Sequence, residues 1–309
     1  MENKPQVEIL MATYNGSKYL REQLDSILNQ SYDNFILTIS DDCSSDDTVS
    51  IVEEYVNRYP NKIRRIVSNK RFGNARDHFF YLMKQCDSDY IMFSDQDDVW
   101  LSNKIELSIS ELLRIEKDHK DIPILVFTDQ KVVDEKLNVI SDSMTDYERL
   151  DVKEISYKKI LFQNIVTGCT ICMNKTLNNL ANKVNNYDSI IMHDWWLALV
   201  ASKFGIVSYI NVSTMLYRQH SANGVGAEKN SGISYFINKI DNLDNVKNTV
   251  LFKKKQANLF YSRYLDKMEN SDRDFLSKMT KRKSGLGFYI ANRCLFSTFF
   301  RFIGNVIYG

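Results

Sequence analysis

Short apolar segments alternate with segments of helical periodicity along the first 130 residues of the chain. Each apolar segment is four to six residues long and suits a strand that is buried on both faces. The segments between them space leucine, isoleucine and valine as on one face of a helix. This alternation predicts an α/β domain whose helices cover both faces of a mostly parallel mixed sheet. The predicted strands are Val7–Ala12, Phe35–Ser40, Ile63–Val67, Tyr90–Phe93 and Ile124–Thr128.

The alternation weakens after Asp129. We predict a strand at Phe162–Met173, a helix at His193–Phe204 and a further strand at Ile206–Ile210. From Ser234 onward the pattern is helical, with no obvious further strand. The expected organisation is therefore one α/β domain over residues 1–232, followed by a helical C-terminal region over residues 233–309.

Polar residues collect where three of the predicted strands end. The first strand runs into Thr13, Tyr14 and Asn15, the second into Asp41, and the fourth into an acidic segment that begins at Asp95. Ligands of open α/β sheets bind beyond the carboxyl ends of the strands. The sequence therefore predicts a binding site at this edge of the sheet.

The acidic segment after the fourth strand is the strongest chemical signal. Asp95, Asp97 and Asp98 lie within four residues, and like charges so close are tolerated where a cation neutralises them. Ligands that offer only oxygen favour Mg²⁺ or Mn²⁺, which commonly bridge carboxylates to phosphates. The alternative is a solvated acidic turn that caps the next helix. Asp41 has a similar alternative as a turn residue, but its carboxylate can also accept the N3–H of a pyrimidine base.

Two further clusters follow in the second half of the chain. In His193-Asp194-Trp195-Trp196, the carboxylate of Asp194 can serve as a general base on an acceptor hydroxyl. The two indoles can stack on a sugar or simply fill the core. Farther on, Arg218 can pair with a diphosphate and His220 can be a metal ligand, although a lone histidine in a loop is more often a surface residue.

Charge is distributed unevenly along the chain. The net charge is +1, but residues 247–309 contain 13 basic and 4 acidic residues, so the preceding part is acidic. An acidic body needs a cation to bind an anionic nucleotide, and a basic end suits an anionic membrane surface. If Phe288–Val306 is helical, it presents an aromatic face backed by arginines, as an interfacial helix does. Packing of that face on the protein is the alternative.

The remaining features favour a cytoplasmic protein with possible peripheral contact at the inner face of the membrane. The N-terminus lacks the pattern of a secretory signal, and no apolar run is long enough to span a bilayer. Five cysteines, an odd number without paired spacing, fit a reducing compartment, and Cys169 and Cys172 are expected to be buried thiols. The chain has no recognised nucleic-acid-binding motif, so we expect no nucleic-acid partner.

Taken together, these segments resemble glycosyltransferase family 2, whose members are inverting enzymes with a GT-A fold. The resemblance extends from about Val7 to about Gly226 and includes, in order, ILMATYNGSKYLREQLDSILNQSY, ISDDCSSDDT and YIMFSDQDDVWLSNK. The segments FSDQDDVW, FTDQKVVDEKLNVI, IMHDWWLAL and LYRQHSANGVGA also resemble bacterial rhamnosyltransferases that build cell-wall polysaccharides. The motif Gln-x-x-Arg-Trp of processive synthases does not occur in the chain.

The resemblance implies a role for each matching residue. Thr13, Tyr14, Asn15 and Asp41 would bind the nucleotide, and Asp95 would contact the ribose or the metal. Asp97 and His220 would hold Mg²⁺ or Mn²⁺ against the diphosphate, and Asp194 would be the catalytic base. Contacts to the acceptor or the diphosphate would come from Asp98, Trp195, Trp196 and Arg218.

The resemblance also implies the reaction and its partners. It predicts transfer of a sugar, L-rhamnose from dTDP-L-rhamnose as the best candidate, to a saccharide or lipid-linked saccharide in cell-wall or capsule synthesis. Donors of the UDP-hexose and UDP-N-acetylhexosamine type, and a non-catalytic carbohydrate-binding role, stay open. A nucleotidyltransferase would need a glycine-rich phosphate loop, which MATYNGSKYL lacks.

Overall fold

The computed structural model describes residues 4–220 and 243–280. Nine strands in these residues form one sheet. Strands β1 to β9 span Val7–Thr13, Phe35–Asp41, Ile63–Ile66, Tyr90–Ser94, Val99–Trp100, Ile124–Val133, Val139–Ser141, Ile171–Asn174 and Ile206–Arg218. Helices α1 to α10 span Leu20–Leu28, Thr48–Arg58, Ala75–Gln85, Lys104–Asp118, Met144–Tyr147, Tyr157–Ile160, Lys175–Ala181, His193–Phe204, Leu243–Tyr264 and Asn270–Thr280.

The sheet is mixed, as the sequence predicts. Its strand order is β3-β2-β1-β4-β8-β6-β9-β5, and β7 pairs with β6. Strands β1 to β4 pair in parallel, and β6 pairs in parallel with β9. The other four pairings are antiparallel. The parallel half therefore carries the polar strand ends of the predicted site. The antiparallel half continues the sheet from β4 through β8.

Alternation along the central strands divides the core into two layers. In β1, Ile9 and Met11 face the layer covered by α1, α2 and α4, whereas Leu10 faces the opposite layer. Both faces of β1 are thus buried, which explains why this strand reads as a continuous apolar run. The opposite layer contains α3 and α8, and also Phe260 from α9 and Phe275 from α10. The described part of the C-terminal region therefore shares a core with the sheet.

Two predicted strands have different limits in the structure. The segment predicted as Phe162–Met173 contains a 3-10 turn, Gly168–Thr170, and only Ile171–Asn174 is a strand. The prediction was too long because apolar residues in a turn beneath the core cannot be told from a strand by periodicity. Strand β9 continues beyond the predicted Ile210 to Arg218, past irregularities in its pairing with β6. This extension brings Arg218 and His220 back to the acidic segment.

The end of the C-terminal region is not covered by the structure. The predicted helix at Phe288–Val306 and the basic residues Lys281–Lys283 lie outside the described residues. None of the helices in residues 4–220 and 243–280 is long and apolar enough to cross a membrane. The four cysteines described are free, and Cys169 and Cys172 are buried as predicted.

Candidate active site

The ends of β1 and β2 are joined by hydrogen bonds between predicted nucleotide-binding residues. The Thr13 hydroxyl donates to Asp41 Oδ1 over 2.9 Å. Ser44 adds its hydroxyl to the same oxygen over 2.6 Å and its backbone N–H to Oδ2 over 2.8 Å. A carboxylate has about four acceptor positions. Asp41 is therefore fixed in place with capacity to accept one more donor, such as a base N3–H.

Tyr14 and Asn15 form the rim of this loop. Asn15 has a φ of 47°, a left-handed conformation that asparagine tolerates, and its side-chain oxygen accepts the N–H of Ser45 over 2.8 Å. Tyr14 is 43% exposed. Its backbone N–H and carbonyl both bond to the side-chain amide of Gln96, at 2.9 and 3.0 Å. Gln96 thus connects the loop after β1, the nucleotide loop, to the acidic segment.

Arg71 contacts Tyr14, a contact that the sequence did not indicate. Its guanidinium donates to the Tyr14 hydroxyl over 2.7 Å and lies 4.9 Å from the centre of the Tyr14 ring. The loop that carries Arg71 is held by Asp42, whose carboxylate accepts the backbone N–H groups of Phe72 and Gly73. Arg71 lies in a loop with no periodicity, so no sequence pattern connects it with Tyr14. The structure thus places a cation beside Tyr14, a residue of the predicted nucleotide site.

The segment Asp95–Asp98, the acidic loop, follows β4 directly. Burial raises the pKa of Asp95 to about 7, and repulsion from Asp97 adds to the effect. Oδ2 of Asp97 lies 2.8 Å from Nε2 of His220. The two residues predicted as metal ligands are thus adjacent in the structure, although they are 123 positions apart in the chain.

Asp98 lies beneath the acidic loop. It is fully buried, and its Oδ1 accepts the backbone N–H of Arg218 over 3.1 Å. Its Oδ2 has no hydrogen-bond partner among the described residues. One oxygen each of Asp95 and Asp98 and the sulfur of Cys169 lie within 4.8 Å of one another. Asp98 is buried beneath the loop, and its predicted contact with the acceptor or the diphosphate stays a prediction.

This group of residues fits a divalent cation. Crowded carboxylates, an unpartnered buried carboxylate oxygen and an imidazole nitrogen beside Asp97 form a donor set rich in oxygen. Burial, together with repulsion from Asp95 and Asp97, raises the pKa of Asp98 well above its usual range. A bound cation would relieve that repulsion. The acidic loop can therefore accommodate a divalent cation, and the assignment of Asp97 and His220 as its ligands stays a prediction.

Asp194 is in the first turn of α8 and faces the same pocket. Burial raises its pKa to about 7, and hydrogen bonds from the backbone N–H groups of Trp195 and Gly168 and from the Asn164 side chain oppose that rise. The Asp194 carboxylate is also close enough to Asp95 to raise the pKa of that residue. A carboxylate with a pKa near neutrality can take a proton from an acceptor hydroxyl.

The residue before Asp194 is a buried histidine. His193 lies between Phe79 and Phe93, with ring centroids 4.3 and 5.4 Å away, and neither of its ring nitrogens has a hydrogen-bond partner in the described part of the chain. Burial lowers its pKa to about 3, so the imidazole is neutral. A side chain on Gly168 would begin 2.9 Å from His193 Nε2. Glycine at position 168 therefore lets the turn before β8 approach the base.

The two tryptophans after Asp194 have structural contacts. Trp196 is 0% exposed and packs against Phe260 and Tyr264, and its indole N–H donates to the carbonyl of Ala181. It cannot contact an acceptor, so that prediction was wrong and the core alternative was right. Trp195 is half-buried, and its indole N–H bonds to the carbonyl of Ile160. Its predicted contact with the acceptor stays a prediction.

Arg218 does not point into the pocket. It is 2% exposed, and its guanidinium donates to the carbonyls of Asp97 and Glu135 and to the carboxylate of Glu22. The prediction that it pairs with the diphosphate is therefore wrong. Its donors are used within the protein because β9 is longer than predicted and buries it. Arg218 instead secures the acidic loop.

Comparison with known proteins identifies the family. The model of "Glycosyl transferase family 2" matches residues 8–177. The chain belongs to glycosyltransferase family 2. This family match contains the nucleotide loop, the acidic loop and the Gly168 turn, while Asp194 and His220 lie after it.

Characterised relatives share most of the chain. It is 36% identical over 228 residues to a dTDP-rhamnosyl transferase, RfbG, of Shigella flexneri, covering 70% of this chain and 74% of the relative. It is 27% identical over 206 residues to the UDP-Glc:alpha-D-GlcNAc-diphosphoundecaprenol beta-1,3-glucosyltransferase WfgD of Escherichia coli, covering 66% and 73%. The chain is therefore a family 2 enzyme similar to transferases of two different sugars.

Solved structures confirm the GT-A fold. The structure of Staphylococcus aureus TarS 1-349 in complex with UDP has a TM-score of 0.57 at 14% identity, covering 90% of this chain and 71% of that one. The mannosyltransferase PcManGT from Pyrobaculum calidifontis, in complex with GDP-Man and Mn²⁺, has a TM-score of 0.54 at 11% identity, covering 98% and 86%. At these identities the likeness establishes the fold alone.

The two hydrogen bonds between the Gln96 side chain and the backbone of Tyr14 give a test of the predicted nucleotide site. A methyl group on Gly16 would sit 2.2 Å from Oε1 of Gln96. We expect Gly16→Ala to displace Gln96 from Tyr14 and to weaken dTDP or UDP binding by about tenfold, the effect of losing roughly one to two hydrogen bonds. Calorimetric titration would measure this loss.

Gln96→Ala is the matched variant, because it removes the same two hydrogen bonds directly. Because Gly16→Ala is expected to act through Gln96, the two substitutions together should weaken binding little more than either alone. Fully additive losses would show that Gly16 acts by another route.

Proposed function

We propose that this protein is an inverting transferase that moves L-rhamnose from dTDP-L-rhamnose to a saccharide or lipid-linked saccharide acceptor in cell-wall or capsule synthesis. The observation that carries the proposal is the position of Asp194. Burial raises the pKa of its carboxyl to about 7, and the group is close enough to the acidic loop to raise the pKa of Asp95. A base beside a diphosphate site is what a displacement at a sugar carbon requires.

The proposed reaction is a single displacement. The acceptor hydroxyl oxygen forms a bond to the anomeric carbon as the bond from that carbon to the diphosphate oxygen breaks. Asp194 takes the hydroxyl proton, and the nucleoside diphosphate leaves with the bonding electrons. Attack opposite to the leaving group inverts the configuration, so that a β-linked donor gives an α-rhamnoside. Thr13, Tyr14, Asn15, Asp41 and Asp95 are proposed to bind the nucleotide.

Asp97 and His220 are proposed to hold Mg²⁺ or Mn²⁺ at the diphosphate. Such an ion supplies positive charge that stabilises a diphosphate as a leaving group. Without such an ion, ionised carboxylates of the acidic loop would repel the diphosphate anion. The PcManGT complex contains Mn²⁺ on the same fold.

The donor sugar has the least direct support. RfbG is a dTDP-rhamnosyl transferase by name, and its 36% identity favours rhamnose. WfgD takes UDP-Glc and a TarS complex contains UDP-GlcNAc, so a UDP-sugar donor is the second candidate. The pocket as described is compatible with a pyrimidine nucleotide in both cases, since Asp41 lies where it can accept N3–H.

A panel of donors distinguishes these candidates. Purified protein is incubated with dTDP-rhamnose, UDP-glucose or UDP-N-acetylglucosamine, with Mn²⁺ or Mg²⁺ and then with EDTA, and released nucleotide is measured. We expect selective release of dTDP that EDTA abolishes. Selective release of UDP would keep the reaction and replace the sugar. Failure to bind any of the nucleotides in calorimetry would favour the non-catalytic alternative.

Replacement of Asp194 tests its assignment as the base. Asp194→Asn should lower turnover about 10²- to 10⁴-fold, the usual contribution of a general base, with nucleotide affinity nearly unchanged. In the unsubstituted protein, turnover should rise with pH through about 7 and then level, because the carboxylate must be ionised to accept a proton. Asp188→Asn, in an exposed position nearby, is the control. Equal loss of turnover and nucleotide binding would indicate a structural role.

A lipid-linked acceptor implies contact with the inner face of the membrane. Near the middle of α9, the exposed Phe252 adjoins Lys253, Lys254 and Lys255. An aromatic side chain beside lysines suits an anionic headgroup region. The name of WfgD includes a diphosphoundecaprenol acceptor. We therefore include peripheral membrane contact in the proposal.

Co-sedimentation with vesicles tests this contact. Binding to phosphatidylglycerol vesicles should exceed binding to phosphatidylcholine vesicles. Exchanging Lys253 and Lys255 together for glutamine should reduce it about 30-fold, given about 1 kcal/mol for each of the two charges near an anionic surface. The matched control exchanges the exposed Lys117 and Lys120 of another face. Equal losses in both variants would mean that net charge alone attracts the protein.

A further inference from the structure

Tyr19, a buried tyrosine immediately before α1, contacts the two residues that return to the site at the end of β9. Its ring centroid is 4.9 Å from that of His220 at an interplanar angle of 34°. The guanidinium carbon of Arg218 is 4.5 Å from the same centroid. Residues 218 and 220 are two apart in an extended segment, so their side chains lie on the same side and can share one ring.

The same tyrosine is bonded to the nucleotide loop and to a second turn. Its backbone N–H donates to the carbonyl of Gly16 over 3.1 Å. Its hydroxyl donates to the carboxylate of Glu135, in the turn between β6 and β7, where Lys18 also pairs. Tyr19 is thus fixed from three directions, by its backbone, its ring and its hydroxyl.

Contacts with Asp97 and Tyr19 position the imidazole of His220. Its Nε2 lies 2.8 Å from Asp97 Oδ2, and this contact sets the position of one edge of the ring. The ring of Tyr19, 4.9 Å from the imidazole centroid, restricts rotation about that edge. Groups that orient a metal-binding histidine typically affect metal affinity 10- to 100-fold when they are lost.

We propose that Tyr19 is a positioning residue for divalent-cation binding, because its ring holds His220 in register with Asp97 and joins that pair to the nucleotide loop. The inference rests on the proposed assignment of Asp97 and His220 as cation ligands. It extends that assignment by making the ring of Tyr19, and not its hydroxyl, the feature on which cation affinity depends.

Three variants separate the ring from the hydroxyl and from the fold. Tyr19→Phe keeps the ring and loses the bond to Glu135. Tyr19→Leu loses the ring, and Tyr19→Met does so with a longer side chain if the leucine variant does not fold. Tyr59→Leu is the control, because it removes a half-buried tyrosine that contacts Tyr55 and lies outside the site.

The stacking itself can be observed by NMR spectroscopy. The chain has four histidines, and the ring signals of His220 are assigned by their loss in His220→Asn. We expect these signals to be displaced by the ring current of Tyr19, to be retained in Tyr19→Phe and Tyr59→Leu, and to move toward the values of an unstructured histidine in Tyr19→Leu.

Mn²⁺ affinity tests the consequence without use of activity. Free Mn²⁺ is measured by electron paramagnetic resonance during titration of the protein with Mn²⁺ alone. We expect affinity to fall about tenfold or more in Tyr19→Leu or Tyr19→Met, by analogy with other orienting groups, and less than about twofold in Tyr19→Phe and Tyr59→Leu.

The outcomes separate this inference from the proposed function. Unchanged Mn²⁺ affinity in Tyr19→Leu, together with a loss in His220→Asn, would overturn the role of Tyr19 and keep the cation site. Equal Mn²⁺ affinity in His220→Asn and the unsubstituted protein would overturn both the ligand assignment and the inference. Rhamnosyl or glucosyl transfer in the donor panel would still stand in either case.

Discussion

Repulsion among the carboxylates of the acidic loop is the constraint that organises the rest of the pocket. Asp95, Asp97 and Asp98 follow one strand within four residues. Asp98 is buried and the other two are half-buried, which limits the screening of their charges by water. The chain opposes the repulsion with fixed donors. Arg218 supplies a backbone N–H to Asp98 and a guanidinium N–H to the carbonyl of Asp97. Arg218 therefore stabilises the loop through the backbone of Asp97, and the carboxylate of Asp97 contacts His220.

A buried lysine contributes to the same balance. Lys104 is fully buried at the start of α4 and donates to Thr214 over 3.2 Å. Desolvation lowers its pKa to about 8, whereas the neighbouring Cys169 and Asp98 favour its charged form. A lysine in such a place has no hydration to stabilise its charge, so its interaction with Asp98 is part of what makes burial of both tolerable.

The sequence predicted the parallel half of the fold and the polar strand ends of the candidate site, because those features depend on local patterns. Strands that end in Thr13, Asp41 and Asp95 can be recognised from apolar runs followed by polar residues, and the rule for strand ends brings them together. The adjacency of Asp97 and His220 was available only through family resemblance. Nothing in the local pattern of either residue indicates a contact across 123 positions.

The predictions that failed concern residues whose partners are distant in sequence. The sequence around Trp196 is equally consistent with stacking on a sugar and with packing in the core. The contacts that bury it come from Phe260 and Tyr264 on α9. Arg218 reads as a phosphate ligand because it is basic and near a histidine. It became structural because β9 extends beyond the predicted Ile210 and because Glu22, on α1, is there to accept from it. Periodicity contains neither kind of information.

The turn at Gly168 shows how the two sides of the pocket are kept in register. The backbone N–H of Gly168 bonds to Asp194, and the sulfur of the next residue, Cys169, lies within 4.8 Å of an oxygen of Asp95. Two successive residues thus lie beside the proposed base and the first carboxylate of the acidic loop. The strand that follows this turn pairs with β4 and with β6. The separation between base and acidic loop is therefore fixed by sheet pairing, and α8, with Trp196 anchored in the core, holds Asp194 against the turn.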